Sequence, residues 1–146
     1  MSDYVAIIEA VNAIFDAVDA KDWTAIEELF DDTVRVDFTS LDGGEPAAIT
    51  GAQLAGAWRQ GLHPRKKSFH MAGNHRVTID GDVATVTVKG YSYNALDAEL
   101  GGGVWEVWGR YEFSFRRTPS GWKATGITFD AWRSAGDGSV RTHQLS

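Results

Sequence analysis

The chain contains no cysteine. Disulfide bridges and thiolate metal centres are therefore excluded, and a reducing, cytoplasmic setting is the expectation. Proline is scarce: Pro46, Pro64 and Pro119 each fall at a loop or turn, outside any periodic segment. No apolar run approaches the ~20 residues that a membrane helix needs, so no membrane partner is expected. The opening stretch MSDYVAIIEAVNAIF has no basic residue and carries Asp3 and Glu9, which is not a signal-peptide pattern. Positive charge is also short, with 14 Lys and Arg against 20 Asp and Glu and a net charge of −6. Binding a phosphate backbone needs a surplus of Lys and Arg on one face, so nucleic acid is excluded as a partner.

What is present suits one domain. A chain of 146 residues buries about two-thirds of its unfolded surface and needs no covalent staples. Six Trp, seven Phe and four Tyr are many for this length. They supply broad apolar walls, for a thick core or for a ligand cavity.

Apolar spacing predicts the elements. From Ser2 to Ala20, Tyr4, Val5, Ile8, Val11, Phe15 and Val18 recur at helical period behind Ser2 as N-cap. Asp22 caps a second, short helix whose Trp23, Ile26, Leu29 and Phe30 share a face. Val34 to Thr39 alternates as a strand with Val34, Val36 and Phe38 inward. Asp42 to Pro46 reads as a loop. Thr50 and Gln53 form a capping box that opens a third helix carrying Leu54, Trp58 and Leu62, ended by Pro64. From Ser68 the period changes to two: strands over 69–79, 83–94, 104–117 and 122–133, with turns at Asp80-Gly81 and Pro119-Ser120-Gly121 and a longer loop over 95–103. Residues 134–146 read as a polar, frayed tail behind a domain over 1–133. Helices segregated from strands mean α+β. Strands this long must coil, and three helices on the concave side of a coiled sheet leave a cone around an apolar pocket.

This order, with Asp19-Ala20-Lys21-Asp22-Trp23, Val34-Arg35-Val36-Asp37-Phe38 and His70-Met71-Ala72-Gly73-Asn74, resembles the nuclear transport factor 2-like superfamily. Within it, the chain resembles the SnoaL-like branch that includes scytalone dehydratase, hexachlorocyclohexane dehydrochlorinase and bile acid dehydratase. The resemblance spans roughly residues 3 to 133. It implies a conical barrel of a strongly curved, mixed and mostly antiparallel sheet closed by three helices. It also implies a homo-oligomer, dimer or trimer, and a pocket for a hydrophobic small molecule. In those lyases an Asp near the end of the first helix pairs with a His that begins the second strand. The matching positions are Asp19 and His70, which implies that His70 takes a proton from carbon, or assists departure of water or halide, while Asp19 orients it. The two catalytic tyrosines of scytalone dehydratase fall on Val18 and Phe38 and its second histidine near Asn94, so scytalone is not the expected substrate. The bile acid dehydratase tyrosine falls on Ile14.

The residues themselves point the same way. Asp19 lies at the edge of the apolar helical stripe, with Asn12 on the same edge two turns earlier. A carboxylate there needs a partner; it finds one in His70, or else it caps the following helix. An imidazole backed by a carboxylate is the usual general base near neutral pH, although a lone strand histidine is as often structural. Strand parity opposes the pairing. Counting from Val77 and Ile79 as inward, His75 faces the pocket and His70 faces out. A bulge at Gly73, between Met71 and His75, would bring His70 back in. Asn94 and Tyr111 sit on inward faces and could hold a substrate oxygen. Phe38, Trp58, Val86, Val107 and Phe113 are wall candidates, and Arg133 could meet an anionic group at the mouth. The spacing of His70 and His75 matches no zinc pattern, so neither a metal nor a cofactor is expected. Gly109 and Gly126 read as bends in long strands. Two functions follow: a cofactor-independent lyase or isomerase, or a binding or assembly domain like the small subunits of aromatic-ring oxygenases.

Overall fold

The computed structural model describes residues 1–146. The elements run α1 (Asp3–Ala20), α2 (Trp23–Leu29), β1 (Phe30–Asp37), α3 (Thr39–Asp42), β2 (Ala47–Thr50), α4 (Gly51–Gly61), β3 (Lys66–Asp80), β4 (Val83–Leu96), β5 (Val104–Thr118), β6 (Gly121–Gly136) and α5 (Gly138–Thr142). A short 3-10 turn, Ala98–Leu100, interrupts the β4–β5 loop. The six strands form one sheet in the order β2-β1-β6-β5-β4-β3. Only β1 and β6 run parallel; every other neighbouring pair is antiparallel. The sheet is open, with β2 and β3 as its edges, and helices rather than hydrogen bonds close the cone.

Local chemistry accounts for the helix boundaries. Ser2 accepts from the Val5 N–H at the start of α1, and Lys21 ends that helix in the left-handed region at φ 56°. The Asp22 carboxylate accepts from the Ala25 N–H and caps α2. At α4 the Thr50 hydroxyl accepts from the Gln53 N–H, and the Gln53 side chain accepts from the Thr50 N–H. That reciprocal box satisfies two otherwise orphaned donors, worth about 1 kcal/mol.

The core seats α1 on the concave face. Ile7, Val11, Ile14, Phe15 and Val18 of α1 pack with Val86, Val88, Phe113, Phe115 and Ile127 of the sheet. The expected stripe is therefore shifted: Tyr4 and Val5 are exposed. The first turn of α1 overhangs the rim, where Asp3 pairs with Arg117. Phe38 is expected in β1 but follows it, as the residue capping α3. Two short elements not expected from the sequence flank the expected loop: α3 and the edge strand β2. The tail expected to fray also does not. Strand β6 continues to Gly136, and α5 then drops Val140 into the core at 0% exposure. Val140 anchors it, together with hydrogen bonds from Lys66 to the Arg141 carbonyl and between the His63 and His143 rings.

Candidate active site

The decisive local feature is a bulge in β3. The β3–β4 register pairs Gly73 with Lys89 and then Arg76 with Thr87, so Asn74 and His75 together oppose Val88. Asn74 holds the left-handed backbone at φ 54°, a conformation Asn tolerates better than most side chains. The irregularity falls where the sequence requires one, but the left-handed residue is Asn74 rather than Gly73. Beyond the bulge, Val77 is half-buried and Ile79 exposed, because β3 is an edge strand. Before it, Lys66, Ser68 and His70 share the inward face. His75 has its ring Nε2 buried without a partner and does not reach the cavity.

His70 and Asp19 are in contact. His70 Nδ1 lies 2.7 Å from Asp19 Oδ1, and the His70 backbone N–H donates to Oδ2 at 2.7 Å. Ser68 Oγ also donates to Oδ1, at 2.8 Å. Asp19 is thus a receptor for three donors on β3, and Asp22, not Asp19, caps the next helix. Burial pushes the Asp19 carboxyl up. Hydrogen bonds from the His70 ring and backbone, the His70 charge and the Ser68 hydroxyl outweigh burial and hold it below the ordinary 3.8. An ionised carboxylate only accepts, so Nδ1 carries the ring proton and Nε2 presents its lone pair. That nitrogen faces Ser92 Oγ at 3.2 Å, and Asn94 Nδ2 donates to the same hydroxyl at 3.0 Å. Ser92 lies directly opposite His70 in the β3–β4 register. The Phe15 ring stacks on the imidazole at 5.6 Å between centroids.

The pH dependence of stability follows in sign. A carboxyl lowered by folding contributes stability that is complete above its unfolded value, near 3.8, and lost as the pH falls through the folded value. Asp19→Asn is expected to be less stable than the wild type at about pH 6, with the gap closing as the pH falls below 3.8. Thermal midpoints across that range check this; a constant gap would remove the ionised carboxylate from the account.

A hollow of about 660 Å³ opens beside His70. An inner recess of about 100 Å³, lined by Ile14, Phe15, Val18 and Ile127, shares His70, Phe38, Trp58, Leu62 and Tyr111 with it. Of the expected site residues, His70, Asn94, Tyr111, Phe38, Trp58 and Val107 line the main hollow. The Tyr111 hydroxyl has no hydrogen-bond partner among the protein groups. Burial, and then the Asp19 charge, push its pKa upward, so it stays a neutral donor. Gly90 makes room for this ring: a Cβ there would meet Tyr111 carbons at 2.4 Å.

Four expected wall or mouth residues are elsewhere. Val86 and Phe113 are at 0% exposure within the core and do not reach the hollow. Asn12 stays on the Asp19 edge of α1 but seven residues earlier, about 10 Å along the axis, and is not part of the wall. Arg133 is exposed outside it. A bulge in β6 is the reason: Gly109 pairs with Ala131 but Trp108 pairs with Arg133, so Trp132 is extra and Arg133 takes the outer-face parity of Trp108. The charges that do line the hollow are Lys66, Arg141, Asp42 and Glu45. The sequence does not single out Arg141 or Ser92 for the site. Ser92 was reachable, because it shares the inward parity of Asn94.

The open six-stranded sheet, the helical closure and the hollow have the nuclear transport factor 2-like fold. The family model of the SnoaL-like domain matches residues 1–128, and the chain belongs to that family. No curated protein matches the chain. Among solved structures, the Kfla4162 protein from Kribbella flavida is 28% identical with a TM-score of 0.87, over 91% of this chain and 93% of that one. A proposed aromatic ring hydroxylase from Novosphingobium aromaticivorans is 27% identical with a TM-score of 0.83, over 95% and 96%. A proposed scytalone dehydratase from Novosphingobium aromaticivorans is 14% identical with a TM-score of 0.75, over 90% and 85%, a likeness of fold alone. No helix is long and apolar enough to cross a membrane.

Proposed function

We propose that the protein is a cofactor-independent lyase or isomerase acting on a hydrophobic, cyclic small molecule. The observation that carries this reading is the hydrogen-bonded series Asn94–Ser92–His70–Asp19 on the wall of an apolar hollow. His70 Nε2 is the base. It takes a proton from a carbon next to an electron-withdrawing or leaving group, and Asp19 stabilises the imidazolium that forms. The Tyr111 hydroxyl, or the Asn94 amide, donates to the oxygen on which charge develops. Ser92 yields Nε2 to the substrate by turning its hydroxyl. Among fold relatives, dehydratases and dehydrochlorinases are in keeping with this chemistry. The test is turnover of a panel of cyclic alcohols, halides and ketones in deuterated water. Deuterium at the carbon adjacent to the functional group, absent with His70→Ala, is the expected result; its persistence in that variant would remove the base.

The second reading is a non-catalytic binding or assembly domain that retains the hollow, whose apolar wall would hold a ligand without chemistry. Binding without turnover or exchange across the same panel decides for it.

The outer sheet face supports self-association. Phe69 and Met71 of β3 are 55% and 57% exposed there, and Met71 pairs with Tyr91, which in turn pairs with Trp108. Trp108 itself is half-buried against the Tyr91 ring. Sedimentation equilibrium is expected to give two or three times the 16.0 kDa chain mass, and Met71→Glu is expected to lower it. A monomer at micromolar concentration would count against the interface.

A further inference from the structure

Lys66 is a buried cation without a counter-ion. The residue is 2% exposed, and no carboxylate stands within 4.0 Å of its ammonium. Its Nζ donates to the carbonyls of Gly61 at 2.9 Å and Arg141 at 3.1 Å, the C-terminal turns of α4 and α5. Those carbonyls orient the ammonium and hold α5 down. They use two of its three N–H donors and leave its formal charge uncompensated. The third donor has no partner among the protein groups, and Lys66 lines the hollow together with His70.

We infer that the hollow contains an anion subsite, in which Lys66 receives the carboxylate of an otherwise apolar ligand. The two residues share the inward face of β3 four positions apart, about 13 Å between Cα atoms. A ligand with one or two fused rings and a carboxylate arm spans that interval. The other charges on the wall do not compete for this role. Arg141 is engaged by Asp42 and lies over the Trp105 ring, and Glu45 is exposed at the rim. Burial, and then the Arg141 charge, disfavour the ammonium form of Lys66. An entering carboxylate reverses that penalty, and this makes recognition selective for an anion over a neutral isostere.

The inference rests on the lyase reading only for placing the reacting carbon at His70; recognition of charge needs no turnover. Its test is calorimetric titration of the intact protein with naphthalene-2-carboxylate and with naphthalene-2-carboxamide. In the wild type the carboxylate is expected to bind at least about tenfold more tightly. Lys66→Met is expected to level the two affinities and leave that of the carboxamide unchanged. Lys66→Arg keeps the charge and guards against loss of the α4–α5 clasp; it is expected to retain a preference. Equal affinities in the wild type, no binding of the carboxylate, or a preference surviving Lys66→Met would each overturn the subsite. With His70→Ala the preference is expected to persist. A protein that selects the carboxylate but turns nothing over therefore loses the lyase reading and keeps the subsite.

Discussion

His70→Ala is expected to lower kcat/KM by at least about a thousandfold while leaving the circular dichroism spectrum and thermal midpoint close to wild type. The reason for this separation lies at Asp19. Two of its three donors, the backbone N–H of residue 70 and the Ser68 hydroxyl, survive the substitution. The carboxylate therefore keeps its partners when the ring is removed, and what is lost is Nε2 and its lone pair. Asp19→Asn should cost activity on a similar scale by a different route. An amide offers one acceptor and one donor to a site that presents three donors, so the Nδ1–H loses its fixed acceptor and the ring takes its other tautomer. A proton on Nε2 cannot accept one from carbon. Steady-state kinetics on whichever panel substrate is turned over, with melting curves on the same samples, check both variants. Full activity in either would dissolve the proposed pair.

A large effect on stability is expected at Gly109. A Cβ there would lie 2.4 Å from the Asp130 carbonyl oxygen and 2.6 Å from the Phe129 ring. The carbonyl belongs to the neighbouring strand and cannot move without breaking its ladder. The ring is 2% exposed, 4.4 Å from the Tyr111 ring, and forms part of the hollow. Gly109→Ala should therefore cost about 2 to 3 kcal/mol and lower the midpoint by roughly 4 to 12 °C. Gly126→Ala is the control. Its nearest contacts would be at 3.5 Å or beyond, an ordinary packing distance, so a neutral or slightly stabilising change is expected. Equal effects at the two glycines, read by calorimetry, would show that strand propensity rather than the clash governs both.

The contrast between those glycines shows how far the sequence carries. Both read as bends in long strands. Gly109 is instead the space into which Phe129 folds, and it stands opposite Gly90, the space taken by Tyr111. Nothing within ten residues of either glycine announces the ring it accommodates. The same distance in sequence explains the misplacement of Arg133, whose face depends on one extra residue in β6 relative to β5. The β3 bulge was legible because a single stretch contained both the parity conflict and the small residues able to resolve it. Asp19 and His70 were legible through the resemblance and through the cost of leaving a carboxylate on an apolar edge unpaired.

Caps, apolar periods and turns are local, so the sequence by itself determined the main helices, the long strands and the α+β class. Facing and neighbourhood are not local. One inserted residue reverses every side chain beyond it, and a polar tail becomes a wall when one Val finds the core. The tertiary structure alone decided that Lys66 and Arg141, rather than Arg133, bring positive charge to the hollow, and that Ser92 stands beside His70.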